Sequence, residues 1–297
     1  MPSPEHDEIV ALIRASADDP TAVVGFDEAR ARLDSLGAIF AVPDGVEITP
    51  AELAGVRVER FRPSGAVGPG SIQYHHGGSY IGGSLDSHRP LTARLAAATG
   101  REVVAVDYRL APEHPFPAGL DDARAVHRHL VDVEGIDPAQ LVVAGDSAGG
   151  GLTAALTLAL RDDGSAPAGA VLLSPWLDLT LTNTSITELA DDDPMLTADA
   201  LARAAEAYAG GRLKEPLVSP VFGDLAGLPP MLVLVGTAEI LLDDSRTFAE
   251  RATAAGSDVD LDVHEGLIHV WPFVDGIPES AAALRRIADW IDATVGA

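Results

Sequence analysis

The stretch Gly145-Asp146-Ser147-Ala148-Gly149-Gly150 follows the apolar run Leu141-Val142-Val143-Ala144 and opens the Ala- and Leu-rich segment from Leu152 to Leu160. A strand, a sharp turn holding one serine between glycines, and then a helix make the Gly-x-Ser-x-Gly nucleophile elbow in its expected setting. The flanking glycines have a geometric job. The serine sits at a strained backbone position, and a side chain beside it would collide with the adjoining strand or helix. Ser147 is therefore the candidate nucleophile. The helix that begins there aims N–H groups and the positive end of its dipole at the place where negative charge would develop. Taken alone, the motif also fits an ordinary strand-to-helix connection, so the rest of the chain decides.

The 297 residues are 47% hydrophobic but only 5% aromatic, enough for a large aliphatic core and incompatible with disorder. There is no cysteine, which excludes disulfides, thiol nucleophiles and thiolate metal sites together. Forty-five acidic residues against 20 basic give a formal net charge of −25. That charge repels nucleic acid and anionic membranes and disfavours highly anionic substrates. Lys214 is the only lysine. The polar, acidic start and the lack of any apolar run near the ~20 residues that span a bilayer predict a soluble, cytoplasmic protein without stable membrane association.

Residues Pro4 to Phe40 carry helical spacing, and Gly45-Val46-Glu47-Ile48 and Val56 to Phe61 read as strands. From there β and α segments alternate. Strands are expected at Ser71–Tyr74, Val103–Val106, Leu141–Ala144, Ala170–Leu173, Met231–Val235 and Val259–Val263. Helices are expected from about Ser87, from about Leu120 to Val133, and from about Ala281 to Val295. Near-continuous apolar strands separated by helices predict an α/β fold with a mostly parallel central sheet covered on both faces. One segment, Leu177 to Val218, has no central-strand run; it carries Thr/Asn-rich turns, Asp191-Asp192-Asp193-Pro194 and an Ala-rich helical stretch from about Ala198 to Ala209. The expected layout is thus N-terminal cap helices over 1–45, a cap insertion over 181–216, and a catalytic domain over 46–180 and 217–297.

A serine hydroxyl needs a neighbouring base to take its proton, and that base needs a third group to orient it. α/β-Hydrolases supply these in the chain order Ser, acid, His. Only two of the nine histidines, His264 and His269, lie beyond Ser147. His264 closes an alternating strand, where an edge position accounts for it. His269 sits in the loop before the last helix and is the expected base. After the strand Met231–Val235, Glu239 stands closest to the strand end and is preferred as the acid. Asp243 and Asp244 fall at the start of the next helix, where N-capping is the ordinary role. A tetrahedral intermediate also needs preorganised donors. Gly77 and Gly78, after the strand ending at Tyr74, and Ala148 are the proposed oxyanion hole through their N–H groups.

Tyr74-His75-His76-Gly77-Gly78-Ser79-Tyr80, Asp107-Tyr108-Arg109-Leu110-Ala111-Pro112-Glu113, the Gly145 to Gly150 elbow and Ser174-Pro175-Trp176-Leu177-Asp178 together resemble the hormone-sensitive-lipase-like (bacterial family IV) carboxylesterases of the α/β-hydrolase superfamily. The likeness runs from about Phe61 to the C-terminus. It implies the α/β-hydrolase fold with a helical cap, a Ser147-Glu239-His269 carboxylester hydrolase acting through an acyl-enzyme on short- to medium-chain esters, and no metal or organic cofactor. It also leaves room for a homodimer. Two departures stand out: Ser79 replaces the last glycine of the His-Gly-Gly-Gly signature, and Glu239 stands where many relatives have aspartate. Ser79, Tyr80, Leu196, Tyr208 and Trp271 are candidates for the acyl and alcohol pockets, although each of the last four also fits core or cap packing. His127 and His129, two apart on a helix, face different ways and make no metal pair. Asn183-Thr184-Ser185 matches a glycosylation acceptor but follows no secretory signal. An amidase or peptidase would use the same apparatus, and a non-catalytic small-ligand receptor is the reading that the presence of His269 opposes.

Overall fold

In the computed structural model, which describes residues 1–16, 25–65 and 68–295, the apolar runs become the strands of one sheet. They are β1 (Val46–Leu53), β2 (Val56–Pro63), β3 (Ser71–His75), β4 (Glu102–Val106), β5 (Leu141–Asp146), β6 (Gly169–Leu173), β7 (Met231–Ala238) and β8 (Val259–Ile268). The order across the sheet is β1-β2-β4-β3-β5-β6-β7-β8. β1 and β2 are antiparallel to their neighbours, and every pairing from β4 to β8 is parallel.

The central strands are buried on both faces, as their unbroken apolar runs require. Alternate side chains feed two cores. Val104, Val143, Leu172 and Val233 enter one cluster, and Val103, Val142, Val171 and Leu232 enter the other. The first is covered by α4 (Ala118–Arg128), α5 (Ser147–Asp162) and α8 (Leu242–Ala254), and the second by α3 (Leu85–Thr99) and α9 (Pro278–Val295). Helix α3 starts two residues before the Ser87 start expected from sequence. Ser84 caps it, and the Ser87 hydroxyl closes a capping box from the third helical position. A serine at that position gives a weaker signal than the usual glutamate.

The N-terminal helical segment forms α1 (Pro4–Ser16) and α2 (Phe26–Gly37), while its residues 17–24 lie outside the described residues. The insertion carries α6 (Ser185–Glu188) and α7 (Ala198–Ala209). Arg14 of α1 donates to the carbonyls of Asp191 and Asp192 at 3.2 and 2.7 Å. Arg30 of α2 donates to the carbonyls of Ile81 and Ala111 at 2.7 and 2.9 Å. The N-terminal helices therefore touch both the insertion and the loops that follow β3 and β4.

Candidate active site

The serine turn is built by the collision of two backbones. Ser147 is the first residue of α5, directly after β5, and its φ of 52° lies in the left-handed region. A Cβ on Gly149 would run into the carbonyls of His75 and His76, and one on Gly145 would come within 2.6 Å of Thr153 Oγ1. Bare backbone is the only way to bring strand, turn and helix this close. Seven non-glycine residues have positive φ among the described residues, and Ser79, Tyr80, Ser147, Ser174 and Val270 are five of them. All five lie on the loops that carry the candidate site, where strain of this kind concentrates.

Glu239 follows β7 and His269 follows β8, so neighbouring strands deliver acid and base to the same end of the sheet. Glu239 Oε2 lies 2.6 Å from His269 Nδ1, with both side chains buried. Nδ1 donates to the carboxylate, which leaves Nε2 as the nitrogen able to accept a proton. Burial of the His269 ring disfavours its charged form, but the charge and hydrogen bond of Glu239, helped by Asp193 and Asp146, outweigh it and raise its pKa above 6.5. The longer side chain of glutamate is accommodated by two donors to Oε1, Ser174 Oγ and Gly236 N, each at 2.7 Å.

Two contributors escaped the sequence reading. Ser174, at the end of β6, donates to Glu239 and accepts from Val270 N at 3.0 Å, joining the acid loop to the base loop through one hydroxyl. Asp193, read only as part of an acidic turn, is buried. It accepts from Ile240 N at 2.9 Å and from Met195 N and Leu196 N at 2.8 and 2.9 Å. The only sequence hints were a Ser-Pro step at a strand end and an Asp-Pro step in a turn.

The oxyanion assignment needs one correction. Gly77 N–H is already taken, donating to Asp146 Oδ1 at 3.0 Å with His88 Nε2 3.3 Å away. It cannot also serve a substrate oxygen. The next two amides on the loop, Gly78 and Ser79, have no such partner, and Ala148 follows the nucleophile in the first turn of α5. The amides left without a partner on that loop are therefore those of Gly78 and Ser79.

Of the pocket candidates, Tyr80, Tyr208 and Trp271 are buried. Tyr80, on the oxyanion loop, stacks on Tyr208 of α7 with ring centroids 3.8 Å apart and 5° between the planes, so loop and insertion meet through aromatic faces. Leu196 and Ser79 are half-buried. Trp271 is also buried: its ring lies in the cluster that α9 covers, with the His264 ring centroid 4.7 Å away. Asp244 also departs from the sequence reading. It does not cap its own helix but is buried, accepting from Leu177 N and Asp178 N at 2.8 Å and from Asn183 Nδ2 at 2.7 Å. The Asn183 side chain is thereby committed to the base of the insertion.

The profile of a family described as having the alpha/beta hydrolase fold matches residues 72–273. An esterase of Acinetobacter venetianus is 38% identical over 94% of this chain and 93% of its own length. An acetyl-hydrolase of Streptomyces hygroscopicus is 38% identical over 92% of this chain and 89% of its own. Among solved structures, a hormone-sensitive lipase from a metagenome library superposes with a TM-score of 0.93 at 41% identity, covering 98% of each chain. An esterase of the bacterial hormone-sensitive lipase family gives 0.94 at 39% identity over 100% of both. With its parallel sheet, strained serine turn and buried Glu–His pair, this chain belongs to the α/β-hydrolase family, in the hormone-sensitive-lipase branch that holds the bacterial esterases.

Proposed function

We propose that the protein is a serine carboxylesterase in which Ser147 attacks the ester carbonyl and His269 Nε2 takes the hydroxyl proton. His269 then returns that proton to the leaving alcohol, giving an acyl-enzyme that water hydrolyses by the same steps in reverse. Glu239 holds the imidazole in its working tautomer and stabilises the imidazolium. Gly78, Ser79 and Ala148 N–H receive the charge on the tetrahedral oxygen. The observation that carries this reading is the 2.6 Å contact between buried Glu239 Oε2 and His269 Nδ1, taken with a serine held at φ 52° in the turn between β5 and α5.

The substrates are short- to medium-chain acyl esters. Residues 1–45 and 181–216 serve as a cap, a reading supported by the Arg14 bonds to the insertion and by the Tyr80–Tyr208 stack. The Tyr80–Tyr208 stack fills space next to the oxyanion loop, which favours shorter acyl chains. A related esterase, EstE5, 36% identical to this chain, has a crystal structure soaked with p-nitrophenyl butyrate, an ester in this range. No helix among the described residues is long and apolar enough to cross a membrane.

The test is kcat/KM for p-nitrophenyl esters from C2 to C16, comparing wild type with Ser147→Ala. A maximum at short to medium chains that vanishes in S147A is expected. Turnover that survives in S147A would remove Ser147 as nucleophile, and a maximum at C12 or longer would remove the chain-length assignment.

A further inference from the structure

We infer that His88, on α3, is a positioning residue for the oxyanion hole: it holds the Asp146 carboxylate against the oxyanion loop and so keeps it from capping α5 through the Ala148 N–H. The inference rests on the serine-esterase reading above. Asp146 occupies the N-cap position of α5, where an aspartate ordinarily accepts from the amides of the second or third helical residue, here Ala148 and Gly149. It makes no such bond. Its side chain turns the other way and is buried. Oδ1 accepts from Tyr74 OH at 2.7 Å and from Gly77 N at 3.0 Å, and Oδ2 faces His88 Nε2 at 3.3 Å.

The loop is seated directly on this carboxylate. A Cβ on Gly77 would collide with it and would stand 3.1 Å from Ser147 Cβ. His88 is itself fixed from several sides. Its Nδ1 lies 2.8 Å from Ser87 Oγ, part of the capping box of α3. Its ring meets His76 of the oxyanion loop at 5.5 Å and Phe273 of the base loop at 5.3 Å.

Proton placement follows from the contacts. A bare Nε2 would set two lone pairs face to face with Asp146, so Nε2 carries a proton toward Oδ2, and Gly77 N–H goes to Oδ1. Burial by itself would raise the Asp146 pKa, but His88 and Tyr74 hold it low, so the group stays ionised one residue from the nucleophile. Without the His88 donor, that charge has a competing partner close by, the free amides at the start of α5. Taking them would occupy Ala148 N–H and release Gly77. The transition state would then lose one donor, while the ground-state ester, held elsewhere, would lose little.

His88→Leu and His88→Gln test this, with kcat, KM and the Ki of a trifluoromethyl ketone, which forms a tetrahedral adduct on serine. H88L is expected to lower kcat about 10- to 100-fold, somewhat less than outright loss of an oxyanion donor. KM should stay within about threefold and the ketone Ki should rise by the factor that kcat/KM falls, the mark of a loss confined to the transition state. In H88Q the side-chain amide supplies an N–H near the position of Nε2, and activity should return to within about threefold of wild type. If H88L does not fold, His88→Asn, too short to reach Asp146, takes its place. A kcat for the donor-less variant within twofold of wild type, or an H88Q as impaired as H88L, overturns the inference. Activity that persists in S147A under the same conditions would instead overturn the reading on which it rests.

Discussion

Both oxygens of Glu239 are committed, Oε2 to His269 and Oε1 to Ser174 and Gly236. Glu239→Gln must place an amide N–H₂ against one of these donors, and it removes the charge that holds the His269 pKa up. We expect kcat to fall about 10²- to 10⁴-fold, as when a triad acid is made neutral. The sign of the pH effect is fixed by which form works. As the proposed general base His269 acts unprotonated, so wild-type kcat/KM is expected to fall as pH drops through a value above 6.5. In E239Q, burial of the ring is no longer opposed by the carboxylate, and the midpoint moves to lower pH. A pH profile of kcat/KM reads this directly, and an unmoved midpoint would detach Glu239 from His269. The same raised pKa means that this group's contribution to stability is complete below about 6.5 and is lost as pH rises through its folded value. The placement of Ser147, Glu239 and His269 after the ends of β5, β7 and β8 was legible in the sequence because each follows an apolar strand run in a fixed order. The commitment of Gly77 N–H was not, since its partner lies 69 residues further on. The Ser174 hydroxyl, 65 residues before Glu239, was hidden in the same way.

Elements were legible wherever local chemistry dominates, as in the apolar runs of β3 to β7 and the helix after the elbow. They were less so where long-range contacts reassign a side chain. Asp244 in the first turn of α8 reads as a cap, yet it ties down the chain where the insertion leaves the sheet. Burial pushes its pKa up to about 7 against the pull of those three hydrogen bonds. Because the folded value exceeds the ordinary 3.8, this group's share of the stability declines as pH rises from about 3.8 to about 7. Asp244→Ala would leave two buried main-chain amides without acceptors, at about 1–3 kcal/mol each. Urea denaturation should show a loss of about 2–6 kcal/mol from these orphaned amides. An unchanged midpoint would mean that water replaces the carboxylate at no cost.

For the molecule as a whole, the strand order explains why three segments distant in sequence meet. Ser147 rises from β5, in the middle of the sheet, whereas His269 hangs from β8, a strand paired on one side only. From Val259 to Gly266 every residue of β8 is exposed or half-buried, and Val263 is 41% exposed. Edge strands open more readily than central ones. Heating should therefore silence the enzyme from the rim inward. In a temperature series, amides of β8 should exchange with deuterium while those of β5 stay protected, and ester turnover should disappear below the temperature at which the far-UV signal collapses. Loss of turnover that coincides with global melting would show instead that the sheet opens as one unit. On the first course, a warmed molecule keeps the proposed nucleophile mounted on an intact centre and lacks only the partner at the margin, so that brief cooling restores its activity without refolding.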